Sequence, residues 1–176
     1  MKKKLFALIT VGTFYFNGFS QRQIFVNGSD LNVSTQTGTL QAISVAGSNY
    51  SPDYLSATNY LNISVTIPGS LLFSQGSRVY VNQSTASWNP ALQLYIRRTG
   101  DGDPCFGCTI SDNVASEFQL VTENPRNFMM PRTNVFLLSG GGTYSNIPVQ
   151  IRVSGISVTL PATTYSTMLT FTVTPP

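Results

Sequence analysis

The sequence predicts an all-β protein, an antiparallel immunoglobulin-like or pilin-like β-sandwich, on three observations. Apolar residues recur with a period of two, most plainly at Leu61, Ile63, Val65 and Ile67 between Tyr60, Asn62, Ser64 and Thr66. Turn residues break these runs at roughly the spacing of sandwich strands. Amphipathic helical spacing of useful length is missing, so nothing is on hand to make the crossovers of a parallel sheet.

The elements follow in chain order. Residues 1–20 read as a cleaved export signal: a basic start at Lys2, Lys3 and Lys4, an apolar stretch from Leu5 to Phe16, then small residues at Gly18 and Ser20 before Gln21. The apolar stretch is too short to span a bilayer comfortably, and no later segment approaches the necessary length, so no transmembrane anchor is expected. Residues 21–37 form an N-terminal extension or first strand, with the candidate strand at 23–27. The sandwich domain proper is expected at 38–176.

Within the domain the best strand is 60–67, stopped by Pro68-Gly69. Val149, Ile151 and Val153 alternate with Gln150 and Arg152, and the period continues past Ser154-Gly155 in Ile156, Val158 and Leu160. Leu169, Phe171 and Val173 alternate with threonines in a final strand. Weaker candidates are 40–45, 78–82, 92–97, 117–122 and 134–138. Gly140-Gly141-Gly142 reads as a flexible hairpin tip.

Composition narrows the function classes. The chain of 176 residues suits one domain. Its formal charge of +3 suggests a nucleic-acid partner, but all three lysines lie in the leader. Without them the 7 Asp+Glu face an equal number of arginines, so no nucleic-acid partner is expected. The absence of His removes imidazole-dependent hydrolysis and most zinc catalysis. Acids such as Asp101, Asp103, Asp112, Glu117 and Glu123 are no more than an exported domain ordinarily carries, and no catalytic residue, cofactor or metal is assigned. Asp101-Gly102-Asp103 lacks the spacing of a calcium loop and reads as a charged turn.

Two other features bear on function. Cys105 and Cys108 lack a helix N-terminus to activate a thiolate and lack further metal ligands, so a local disulfide is expected. Tyr50, Tyr54, Tyr60, Tyr80, Tyr95, Tyr144 and Trp88 are candidates for a sugar-stacking face, with cross-strand packing as the plainer role. Arg97 and Arg98 cannot form one patch, because adjacent strand residues point to opposite faces.

Residues 156–174 contain Leu160, Pro161, Ala162 and Tyr165 ahead of an alternating last strand. This resembles the ending of pilin-like secreted domains such as the spore coat protein U family and related chaperone–usher fimbrial subunits, with Thr163 where those have Gly. The resemblance implies an exported, non-enzymatic structural or adhesive subunit of a bacterial cell-surface fibre or coat. It implies passage through the periplasm, a periplasmic chaperone, and self-association or other fibre subunits as partners. Assembly would go by β-strand addition, with Ile24, Phe25, Val26, Leu31 and Val33 as candidate strand-donor residues. The alternative is an extracellular carbohydrate-binding module with an aromatic sugar-stacking face.

Overall fold

A computed structural model of the protein describes residues 21–34, 40–69, 75–84, 87–111, 117–133 and 141–176. The expected leader, the candidate strand at 134–138 and Asp112 lie outside the described residues. Among those described, ten strands occur: β1 (Ile24–Asn27), β2 (Asp53–Leu55), β3 (Leu61–Ile67), β4 (Arg78–Gln83), β5 (Gln93–Arg98), β6 (Cys108–Ser111), β7 (Gln119–Leu120), β8 (Arg126–Thr133), β9 (Gly142–Ser154) and β10 (Leu169–Thr174). All pair antiparallel, as an all-β sandwich without helical crossovers requires. No helix among the described residues is long and apolar enough to cross a membrane.

One sheet runs β1-β3-β9-β5-β7, with β2 also on β9; the other runs β10-β4-β8-β6. The long strand β9 organises the first sheet. Its early part pairs β3, its last residues pair β2 on that same side, and residues Val149 to Ser154 pair β5 on the other. The alternation of β3 is followed by its burial: Leu61, Ile63, Val65 and Ile67 all face the core, with Val79 and Val81 of β4 and Leu94 and Ile96 of β5. Phe128 of β8 meets Phe171 of β10 at 6.3 Å between ring centres.

Two bulges break the regular register. In β9, Ser145 and Asn146 together oppose Ser64, because Ile63 pairs with Ile147 while Val65 pairs with Tyr144. Asn146 takes the extra turn at φ 54°, a left-handed conformation that Asn tolerates better than most residues. Its backbone N–H donates to Ser64 Oγ at 3.2 Å, and its amide donates to Asp103 Oδ2 at 2.7 Å. In β8, Val79 pairs with Met129 but Tyr80 with Asn127, so Phe128 is extra and both Phe128 and Met129 enter the core.

Several expectations are corrected. Residues 40–45 form no strand; Val45 is exposed, and the segment runs as irregular chain against the outside of the domain. Residues 156–160 do not continue the preceding strand. Gly155 adopts φ 87° and ends it, and Ile156 turns inward with its N–H donating to the Pro52 carbonyl. Gly142 belongs to β9 rather than to a loop tip. The strand expected at 117–122 shrinks to Gln119–Leu120, while β2 and β8 arise where none was expected.

Candidate functional site

The first and last strands of the domain touch along one flank of the sandwich, and their core-facing side chains are only partly covered. Among the described residues β1 is an edge of the first sheet and β10 an edge of the second. The core-facing residues of β10, Leu169, Phe171 and Val173, reach only partial burial, unlike their counterparts in β3 and β4. Val26 of β1 pairs with Ile63, and directly opposed residues point to the same side, so Val26 faces the core. Ile63 is completely buried, yet Val26 is 45% exposed. Val26 is therefore left partly uncovered beside a fully buried Ile63. Phe25, on the opposite side of the same strand, is 58% exposed.

The expected strand-donor residues are thus located on their own domain. Ile24 to Asn27 pair with Val65 to Asn62 of the same chain. Ile24, Leu31 and Val33 pack partly buried against the core. The start of the segment is held by both sheets: Thr66 N–H donates to the Gln23 carbonyl at 2.9 Å, and Arg22 Nε donates to the Gly76 carbonyl at 3.1 Å. β1 is the resident first strand here, and it ends the ladder with backbone groups directed outward.

Cys105 and Cys108 are bonded to each other, as expected. The bridge does more than pin a loop tip: Cys108 opens β6 and joins the core, and a Cβ at Gly142 would come within 2.9 Å of Cys105. The loop holds Phe106 outward at 85% exposure. Asp103 bridges Ser145 by two backbone hydrogen bonds, and Asp101 pairs with Arg98, which gives both acids of the charged turn structural partners. Among the described residues no group of acids, Cys or His gathers as a metal site.

The aromatic residues do not converge on one platform. Tyr144 lies in the core, where burial and then the neighbouring Asp101 push its phenol above the usual range against the lowering effect of Arg98. Tyr50, Tyr54 and Trp88 pack against the core, Tyr60 donates to the Ser29 carbonyl, and Tyr80 belongs to the second sheet. Tyr95 lies under the guanidinium of Arg152. Arg97 and Arg98 do diverge, but Arg152, Gln150 and Phe118 join Arg97 from elsewhere in the chain. Only pairing across strands could reveal that grouping.

The carboxyl-terminal motif has a definite local role. Tyr165 donates from its hydroxyl to the Pro161 carbonyl at 2.9 Å, closing a turn, and Leu160 and Tyr165 pack against the core before β10 begins. No family model, curated protein or solved structure matches this chain.

Proposed function

We propose that this protein is an exported structural or adhesive subunit of a cell-surface fibre or coat, assembling by strand addition at the flank made by β1 and β10. The observation that carries this reading is Val26, a core-facing side chain on an edge strand that is nevertheless 45% exposed. A first strand that leaves Val26 and Phe25 so exposed is only partly sealed to its own domain, so it can leave β3 and be replaced there by the first strand of a neighbouring copy. The half-covered Leu169, Phe171 and Val173 extend the same incomplete cover to the second sheet. The occupant is the equivalent first strand of a neighbouring copy, because β1 carries the matching apolar side chains and is joined to the body through residues that include Gly28.

Deleting residues 21–37 tests the reading. The truncated domain should remain able to bind a peptide of residues 21–37 added in trans, and should fail to form the concentration-dependent, SDS-resistant ladders expected of the full protein. A full protein that stays monomeric at every concentration would refute assembly. A truncated domain that the peptide cannot rescue would refute strand exchange.

A further inference from the structure

The outer face of the first sheet carries a cationic cluster that strand assembly does not use. Tyr95 and Arg97 of β5 stand directly opposite Arg152 and Gln150 of β9, so all four side chains leave the sheet on the face away from the core, with Gln150 covered there. Phe118 joins them from the chain just before β7. Arg97 Cζ and Arg152 Cζ each lie 4.6 Å from its ring centre, and Arg152 Cζ lies 4.2 Å from that of Tyr95.

Two guanidinium groups thus share one aromatic ring. The ring face attracts each cation. Arg97 is aimed by Gln150, which is 6% exposed: the Gln150 side-chain oxygen accepts from Arg97 Nε at 2.9 Å, while its Nε2 donates to the Ser56 carbonyl at 2.7 Å. Arg152 is placed by stacking alone. Its buried Nε has no hydrogen-bond partner among the described residues, and no described carboxylate forms an ion pair with it. A cavity of about 540 Å³ opens beside Arg97, lined by Thr58, Asn59, Arg97, Arg98, Thr99 and Pro148.

We propose that this face binds an acidic oligosaccharide, with Arg152 taking the carboxylate or sulfate of one sugar and the cavity beside Arg97 taking the next. A stacked guanidinium presents its N–H groups as a planar fork that fits an oxyanion. The threonine and asparagine lining of the cavity suits the hydroxyls of a sugar. A polynucleotide would need an extended basic stripe, which residues 21–176 lack with seven acids against as many arginines. This inference does not rest on the assembly reading, and either can fail alone.

Calorimetric titration of the protein recovered after expression of the full chain tests it. The ligands are oligogalacturonate, a sulfated oligosaccharide, a neutral oligosaccharide of equal length and single-stranded DNA. At least one acidic oligosaccharide should bind, more weakly as salt rises, and the neutral one should not. Which acid binds identifies the oxyanion. Arg152→Gln should weaken binding at least tenfold with the melting temperature retained, and Arg152→Lys should recover only part of it because the charge returns without the fork. If Arg152→Gln does not fold, the Nε–H resonances of Arg97 and Arg152 in the unaltered protein should shift on adding the acidic ligand. Equal binding of the neutral sugar, tighter binding of DNA, no binding of either acidic sugar, undiminished binding by Arg152→Gln, or unmoved resonances would overturn the proposal.

Discussion

Replacing Asn146 tests how the first sheet maintains its register. Asn146 holds φ 54°, donates its amide to Asp103 Oδ2 at 2.7 Å, and lets two residues of β9 oppose Ser64. Alanine there loses the hydrogen bond, worth about 0.5–1.5 kcal/mol at an exposed site. It must also adopt a left-handed backbone at a further cost of about 1–2 kcal/mol. Glycine loses the same bond but enters that conformation freely, at the entropic cost of a looser unfolded chain. Equilibrium urea denaturation should therefore rank the variants Asn, Gly, Ala, with Ala roughly 1 kcal/mol below Gly and the slope of the transition unchanged. The loss cannot be avoided by removing the bulge, because every residue from Gly142 to Ser145 would then change faces and Tyr144 would leave the core. An Ala variant as stable as Gly, or three proteins of equal stability, would show that the left-handed position is not what holds the register.

Three further outcomes are expected. Changing both Cys105 and Cys108 to Ser opens a ring of only four residues, worth roughly 2 kcal/mol, and puts a hydroxyl at the buried Cys108 site for about 1–3 kcal/mol more, so calorimetry should show a melting temperature lower by about 6–20 °C; unfolding at room temperature would refute this. Gly155→Ala should be far more damaging than Gly47→Ala in thermal melts, since both positions have positive φ but only at 155 would a Cβ strike the Ala91 carbonyl oxygen. Tyr144 has its folded pKa raised above the ordinary 10.0, mainly by burial, so the unfolded chain releases the proton first: its contribution is complete below pH 10 and is lost as pH climbs through the folded pKa. Tyr144→Phe should match the parent protein in urea melts at neutral pH and fall less steeply above pH 10; parallel alkaline profiles would refute the assignment.

The sequence was most legible where a strand lies regularly in one sheet with one face on the core. β3 and β10 have the alternation expected of them, and β9 has it from Val149 onward. β8 is hard to read from sequence because its bulge buries Phe128 and Met129 in succession, and because Pro131 argues against a strand. Its carbonyl still joins the sheet, receiving the Ser77 N–H, so the proline costs the strand only its one missing N–H. Residues 156–160 misled in the other direction: their spacing is right for a strand, yet the chain has already turned at Gly155.

By itself, then, the order of residues determined the all-β class, most of the strands and the pairing of two cysteines three positions apart, because these follow from local alternation, turn chemistry and short reach. The tertiary structure alone decided which strands became edges and which side chains met across them. Val26 is left open because β1 ends its ladder, and Arg152 meets Arg97 and Phe118 because β5 is drawn between β9 and β7. Partners far apart in the chain are chosen by the folding of the whole sheet, and the neighbours of a residue in sequence carry no record of that choice.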